Sequence, residues 1–222
     1  MNNDMNIEQA RFNMIEQQIR PWDVLDPRVL QLVANIHRED FMPEEYRQLA
    51  FVDMATPIGH GQMSLSPRLE ARILQSLNVR PDDTVLEIGT GCAYLTALFA
   101  RSAKSVTSID IFSDFTTAAG KKLAKAGINN VNLVTGDAIN GWPEYAPYDV
   151  IAVTGSVPEL AYCFQEQLAL NGRLFIIVGR SPVMEAQVIT RINEQEFIHE
   201  SVFETDIAAL IGTRDYQHAF KF

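Results

Sequence analysis

The chain predicts an α/β protein built on a doubly wound, mostly parallel, Rossmann-like sheet with an N-terminal helical extension. Three observations carry that expectation. From Thr84 onward, short apolar runs alternate with helix-periodic segments. Most of the runs hold few polar residues, as strands covered on both faces do. Glycines or acidic residues follow successive runs directly, at the strand ends where open parallel sheets bind ligands. Composition permits such a core: 47% of the 222 residues are hydrophobic and 21% charged, which excludes wholesale disorder. At roughly 150 residues per domain, the length fits one domain with an added segment.

The elements follow in order. Ile7, Ala10, Met14 and Ile15 recur at helix spacing, and Asp26-Pro27 is a helix start ahead of Val29, Leu30, Leu32 and Val33. Ala50 to Ser66, with Pro57, Gly59, His60 and Gly61, is expected to be a long structureless loop, and such loops are usually functional. Ser66-Pro67 supplies an N-cap and a first-turn proline before the stripe Leu69, Ile73, Leu77. Residues 1–79 thus form a helical extension and substrate loop packed on a core at 80–222, one structural domain in all. Within the core, strands are expected at Val85 to Ile88, Ser105 to Ile109, Val131 to Val134, Asp149 to Val153 and Arg173 to Val178. Helices are expected at Tyr94 to Arg101, Ser113 to Ala126 and Pro158 to Leu168.

Charge narrows the partners. Eighteen basic against 28 acidic residues give 18 − 28 = −10, a field that repels phosphate backbones and anionic membranes. Nucleic acid and membrane surfaces are therefore disfavoured. Cys92 and Cys163 lie too far apart for a C-x-x-C pair, and neither His37 nor His199 has metal-ligand spacing. Reduced thiols, an amino terminus without an apolar signal region and the lack of an 18-residue apolar run suit a cytoplasmic protein.

The strand-end loops carry the chemistry. Glu87-Ile88-Gly89-Thr90-Gly91-Cys92-Ala93 allows a tight turn and close approach of a ligand to the backbone. Tyr94 stands where a dinucleotide fingerprint wants a third glycine, which weakens a nicotinamide reading. Asp110, ending the second run, can accept two hydrogen bonds from ribose hydroxyls, and Gly136-Asp137-Ala138 places another carboxylate at the same edge, suited to an amine donor. Each alone has a bland alternative: a turn without ligand, or Asp110 or Ser113 capping the next helix. Three successive strand ends with a plausible nucleoside contact are hard to attribute to chance.

These residues resemble the class I S-adenosylmethionine-dependent methyltransferases. Within them, the chain resembles the protein-L-isoaspartate O-methyltransferases through Leu86 to Gly91, Gly136-Asp137, Gly141-Trp142-Pro143-Glu144 and Ala146-Pro147-Tyr148-Asp149. Pro57-Ile58-Gly59-His60-Gly61-Gln62 adds a family-specific loop. The resemblance implies S-adenosyl-L-methionine as cofactor and a protein or peptide carboxylate as acceptor. It places Gly89, Thr90 and Gly91 under the methionine part, with Glu87 near its amino end. Asp110, beside Ile111, would hold the ribose, and Asp137 with Ala138 would contact adenine. The acceptor loop would comprise Asp53, Gly59, His60, Gly61, Gln62 and Met63. It further implies that the segment from Glu200 to Phe222, including Ala208 to Ile211 and Ala219 to Phe222, completes an antiparallel edge.

The resemblance weakens after Gln62. Where the family carries Thr-Ile-Ser, this chain has Met63-Ser64-Leu65 followed by Ser66-Pro67. Leu65 occupies the position usually assigned the catalytic serine, so Ser64 and Ser66 are the candidate hydroxyls. Ile177 stands where the family commonly has proline, expected on the substrate side. His60 could contact substrate but reads more readily as an exposed loop residue without a partner. Cys92 reads as a small buried filler, and Trp142, Tyr148 and Tyr94 as packing residues. Four functions are compatible: isoaspartyl carboxyl methylation, methylation of another acceptor, cofactor binding without catalysis, and nicotinamide-dependent oxidoreduction.

Overall fold

Hydrophobic alternation along the central strands divides the core into two layers, one on each face of a seven-stranded sheet. Val85, Val150, Ala152, Phe175 and Ile177 point to one face. Leu86, Ile151, Val153, Leu174 and Ile176 point to the other. The computed structural model describes residues 3–213, with side chains from Ile7 onward. The strands are β3 (Thr84–Ile88), β4 (Ser105–Asp110), β5 (Val131–Thr135), β6 (Tyr148–Val157), β7 (Leu168–Arg180), β8 (Val183–Arg191) and β9 (Phe197–Thr205), after a small hairpin of β1 (Pro57–Gly59) and β2 (Gln62–Met63). Their order in the sheet is β5-β4-β3-β6-β7-β8-β9. The first five run parallel, and β8 and β9 close the edge antiparallel.

The helices are α1 (Asn3–Met14), α2 (Pro27–Asn35), α3 (Pro67–Leu77), α4 (Tyr94–Ser102), α5 (Ser113–Lys125) and the short α6 (Tyr162–Glu166). Asp26 caps α2 as its sequence implies, accepting from the Arg28 amide at 2.8 Å. The first layer is shared with the helical extension: Met14, Ile19, Val33 and Phe41 join α3 and α4 over the sheet. The other layer is covered by α6 and the segment around Trp142.

Several expectations change. Residues 50–66 are not structureless, because Pro57 pairs with Met63 and Gly59 with Gln62 across a turn at His60 and Gly61, whose φ angles are 50° and 69°. Such positive values suit a tight hairpin turn. The helix expected over Pro158 to Leu168 shrinks to Tyr162–Glu166, since β6 runs on to Val157 and β7 already begins at Leu168. Ser66 occupies the N-cap position of α3 but makes no capping bond. Phe112, rather than Asp110 or Ser113, precedes α5. Ile177 is fully buried near the carboxyl end of β7, paired with Ser156 of β6. Of the expected edge, Phe197–Thr205 pairs with β8. Ala208 and Leu210 instead bond to Ser156 at 3.0 and 2.9 Å, folding that segment across the end of β6. Ala219 to Phe222 lies outside the described residues.

One buried ion pair holds the extension and its loop together. Arg38, in a short helical turn, donates from Nε to Glu70 of α3 at 2.8 Å, with both side chains almost wholly buried. Its remaining nitrogens donate to the carbonyls of Ala50 at 3.0 Å and Leu65 at 2.7 Å. Burial raises the Glu70 carboxyl above its ordinary value despite the neighbouring guanidinium, and the opposing charge raises Arg38. Removing one partner strands a buried charge, so Glu70→Ala should lower stability by about 3–5 kcal/mol, read as a shift in the urea midpoint at unchanged slope.

Candidate active site

Chain order makes the ligand site. β3, β4 and β5 step outward in one direction, and the chain then returns to place β6 on the opposite side of β3. The loops leaving β3 and β6 therefore diverge, opening a crevice at their carboxyl ends. A cavity of about 610 Å³ fills it, within the range of about 300–1,000 Å³ typical of small-molecule sites.

The turn after β3 forms part of its wall. Gly89 has φ 97°, and a Cβ there would lie 2.2 Å from Thr154 Oγ1, so only glycine fits. Thr154, in β6, donates its hydroxyl hydrogen to the shared pair of carbonyls of Ile88 and Gly89, at 2.8 and 3.0 Å. This bond locks the turn to the neighbouring strand. Gly91 donates its amide to Asp110 Oδ2 at 2.9 Å, and Phe112 donates to Asp110 Oδ1 at 3.0 Å. A carboxylate offers about four acceptor sites, so two remain for a vicinal diol. Asp137 accepts from the Ile139 amide through Oδ1 at 3.0 Å, leaving Oδ2 for an amine. Ile109, Ile111 and Ile139 add an apolar surface to the same wall, beside buried Ala138. Glycine backbone, diol acceptor, amine acceptor and apolar surface together match an adenine nucleoside.

Two expected contacts lie behind the wall. Glu87 is fully buried and accepts from Thr96 at 2.5 Å and Ser108 at 2.6 Å. Thr90 directs its hydroxyl to Ser108 at 2.7 Å. Neither side chain lines the cavity. They brace the glycine turn from beneath. Burial, only partly offset by the two hydroxyl donors, pushes the Glu87 carboxyl up to about 8, leaving it protonated near neutrality.

The loop forms the opposite wall through Asp53, Gln62, Met63, Ser64, Leu65 and Ser66. Gly59, His60 and Gly61 do not reach the cavity. His60 is not the unpartnered residue expected: its ring stacks on Phe112 at 4.0 Å and its Nε2 lies 2.7 Å from Asp114. That contact holds the hairpin tip against α5 and lowers the Asp114 carboxyl. The two candidate serines separate. Ser64 is buried, its hydroxyl accepting from the Thr56 amide at 3.1 Å and facing Arg38 at 3.4 Å. Ser66 stands on the wall without a capping bond, and Leu65 presents only hydrocarbon.

The sequence reading missed Trp22, Arg68 and Thr154, which also line the cavity. Thr154 follows a predicted strand and could have been found by position. Arg68 and Trp22 sit in helical surroundings and carry no motif.

Comparison with known proteins follows the same lines. Residues 9–214 match the family described as protein-L-isoaspartate(D-aspartate) O-methyltransferase. A protein-L-isoaspartate O-methyltransferase 1 of Geotalea uraniireducens is 34% identical over 208 residues, covering 93% of this chain and 95% of that one. Another, from Methanoculleus marisnigri, is 40% identical over 169 residues, 76% of this chain and 77% of its own. Among solved structures, a protein-L-isoaspartate O-methyltransferase superposes with TM-score 0.77 at 24% identity, covering 93% of this chain and 66% of that chain. A Plasmodium falciparum protein assigned the same activity and solved with S-adenosyl-L-homocysteine gives TM-score 0.75 at 20% identity, covering 95% and 99%. These two superpositions speak for the fold.

The brace beneath the turn has a measurable signature. An unfolded chain releases the Glu87 proton near 4.5, whereas the folded one keeps it to about 8. The folded state then binds more protons across that interval, so stability falls as pH rises through it. Glu87→Gln should remove this contribution, gaining stability over the unaltered protein at pH 8 relative to pH 5 in paired urea titrations.

Proposed function

Because the chain belongs to the protein-L-isoaspartate(D-aspartate) O-methyltransferase family, we propose that its cavity aligns the free carboxylate of an isoaspartyl residue with the methyl group of S-adenosylmethionine. The protein is an S-adenosylmethionine-dependent O-methyltransferase that acts on protein carboxylates. The observation that carries the site reading is convergence: the nucleoside-matching wall and the acceptor loop face each other across a single cavity.

The residues fit the cofactor. Gly89 and Gly91 line the cavity where its methionine part would lie, Asp110 has two acceptor positions for the ribose hydroxyls, and Asp137 has one for the adenine amine. When bound, S-adenosylmethionine offers a methyl carbon on a cationic sulfur; the acceptor oxygen bonds to that carbon as the carbon–sulfur bond breaks, giving a methyl ester and S-adenosylhomocysteine. An isoaspartyl carboxylate, with a pKa of about 4, is already ionised at neutral pH and needs no general base. The protein's contribution is alignment and exclusion of water. The β1–β2 hairpin, held at its tip by His60 on Phe112 and Asp114, forms the wall that excludes it. Ser66 supplies the hydroxyl donor on this wall, and Ser64 holds the loop's shape.

Net charge of −10 supports protein rather than nucleic acid as the partner. Among the described residues, no helix is long and apolar enough to cross a membrane. A different acceptor remains a second reading, favoured by Met63 and Leu65 on the wall.

Transfer of labelled methyl to matched peptides, one with L-isoaspartate and one with aspartate, tests the acceptor through base-labile methanol. Label in the isoaspartyl peptide alone is expected; label in neither, from protein that binds the cofactor, would select the second reading. Asp110→Ala should weaken S-adenosylmethionine binding about 10- to 100-fold, from the loss of hydrogen bonds to a charged group. Ser66→Ala should lower kcat/KM on the isoaspartyl peptide about tenfold, whereas Ser64→Ala should act mainly on thermal stability.

A further inference from the structure

The cavity wall is acidic. Asp53, Asp110, Asp137 and Asp206 all line it, and Arg68 is its sole Lys, Arg or His among the described residues. A carboxylate acceptor entering this field needs a cation where it binds. Arg68, in the first turn of α3, is about a third exposed and places its guanidinium carbon 3.9 Å from the centroid of the Trp22 indole. Contact with the ring face holds the guanidinium on the wall while its N–H donors stay free for hydrogen bonds. One nitrogen, Nη1, lies 3.0 Å from Asp53 Oδ2.

A guanidinium held on this wall is complementary to a group bearing a free carboxylate. The α-carbon of an isoaspartyl residue is such a group, because its peptide bond leaves through the β-carboxyl. We propose that Arg68, held by Trp22 and Asp53, anchors one oxygen of the acceptor's α-carboxylate. The second carboxylate oxygen stays free to attack. This assigns carboxylate recognition to a cation on α3, where the loop presents Leu65 instead of a hydroxyl. The inference rests on the carboxylate-acceptor reading above.

Titration calorimetry on protein loaded with S-adenosylhomocysteine tests it, using an isoaspartyl peptide and the same peptide with its α-carboxyl capped as an amide. Arg68→Gln should weaken the isoaspartyl peptide about 10- to 100-fold while leaving the capped peptide and S-adenosylhomocysteine unchanged. Arg68→Lys, which keeps the charge and loses the planar fork, should fall between. Equal weakening of both peptides by Arg68→Gln would mark a merely structural latch and overturn the anchor, as would no weakening of either. Unaltered protein that binds S-adenosylhomocysteine but not the isoaspartyl peptide would overturn the acceptor reading together with the anchor. Tight binding by both the unaltered protein and Arg68→Gln would overturn the anchor alone.

Discussion

A guanidinium sealed from water must find several acceptors at once, and Arg38 finds them on three separate parts of the chain. It is fully buried and bonds to Glu70 of α3, to the Ala50 carbonyl at the start of the loop, and to the Leu65 carbonyl on the cavity wall. Its cation also lies 5.7 Å from the ring of Tyr94, which opens the helix after the glycine turn. Desolvation makes each of these contacts expensive to lose, so the extension, the loop and the first core helices are tied to one point. The extension thereby sets where the acceptor wall stands relative to the sheet. At its tip the hairpin is held separately, by His60 against Phe112, Phe115 and Asp114.

On the other side of the cavity the constraint is steric. Gly89 exists because Thr154 occupies the space a side chain would need, and Thr154 is there because its hydroxyl satisfies two carbonyls at the turn. Beneath lies a small polar nest of Glu87, Thr90, Thr96 and Ser108, in which Glu87 is kept neutral by burial. A protonated carboxyl there avoids adding another negative charge behind a wall that already carries Asp110 and Asp137. The nest holds the turn's shape with hydrogen bonds alone, and the wall's carboxylates stay available for ligand hydroxyls and amines.

The parallel sheet was legible because its strands are short apolar runs punctuated by Gly89, Asp110 and Gly136, and those signals are local. The nucleoside wall was legible for the same reason, since each of its residues follows a strand directly. Glu87 and Thr90 belong to the same strand and turn, yet their side chains bond inward to Thr96 and Ser108, a tertiary contact that no local signal in the chain announces. The loop was misread for a different reason: Pro57–Gly59 and Gln62–Met63 pair only because the turn at His60 and Gly61 adopts positive φ, and so short a ladder leaves no periodicity to detect. Trp22 and Arg68 are far apart along the chain. Their stacking is a tertiary fact, fixed by how α3 lies against the turn that ends the first helical segment.

The arrangement also explains how departures in the loop are compatible with carboxyl methylation. A carboxylate attacking an electrophilic methyl needs no proton removed, so no particular serine is chemically obligatory. What the site must provide is a fixed position for an anion inside a wall with four carboxylates. A hydroxyl at position 65 could offer one neutral hydrogen bond; an arginine offers a charge-assisted one with defined geometry. Replacing the hydroxyl by Leu65 dries the wall near the reacting atoms, and placing the cation on α3 sets it on a rigid helix instead of a loop. Recognition and water exclusion, which a loop serine would have to combine, are then carried by different residues on different elements. Each can vary without disturbing the nucleoside half of the cavity.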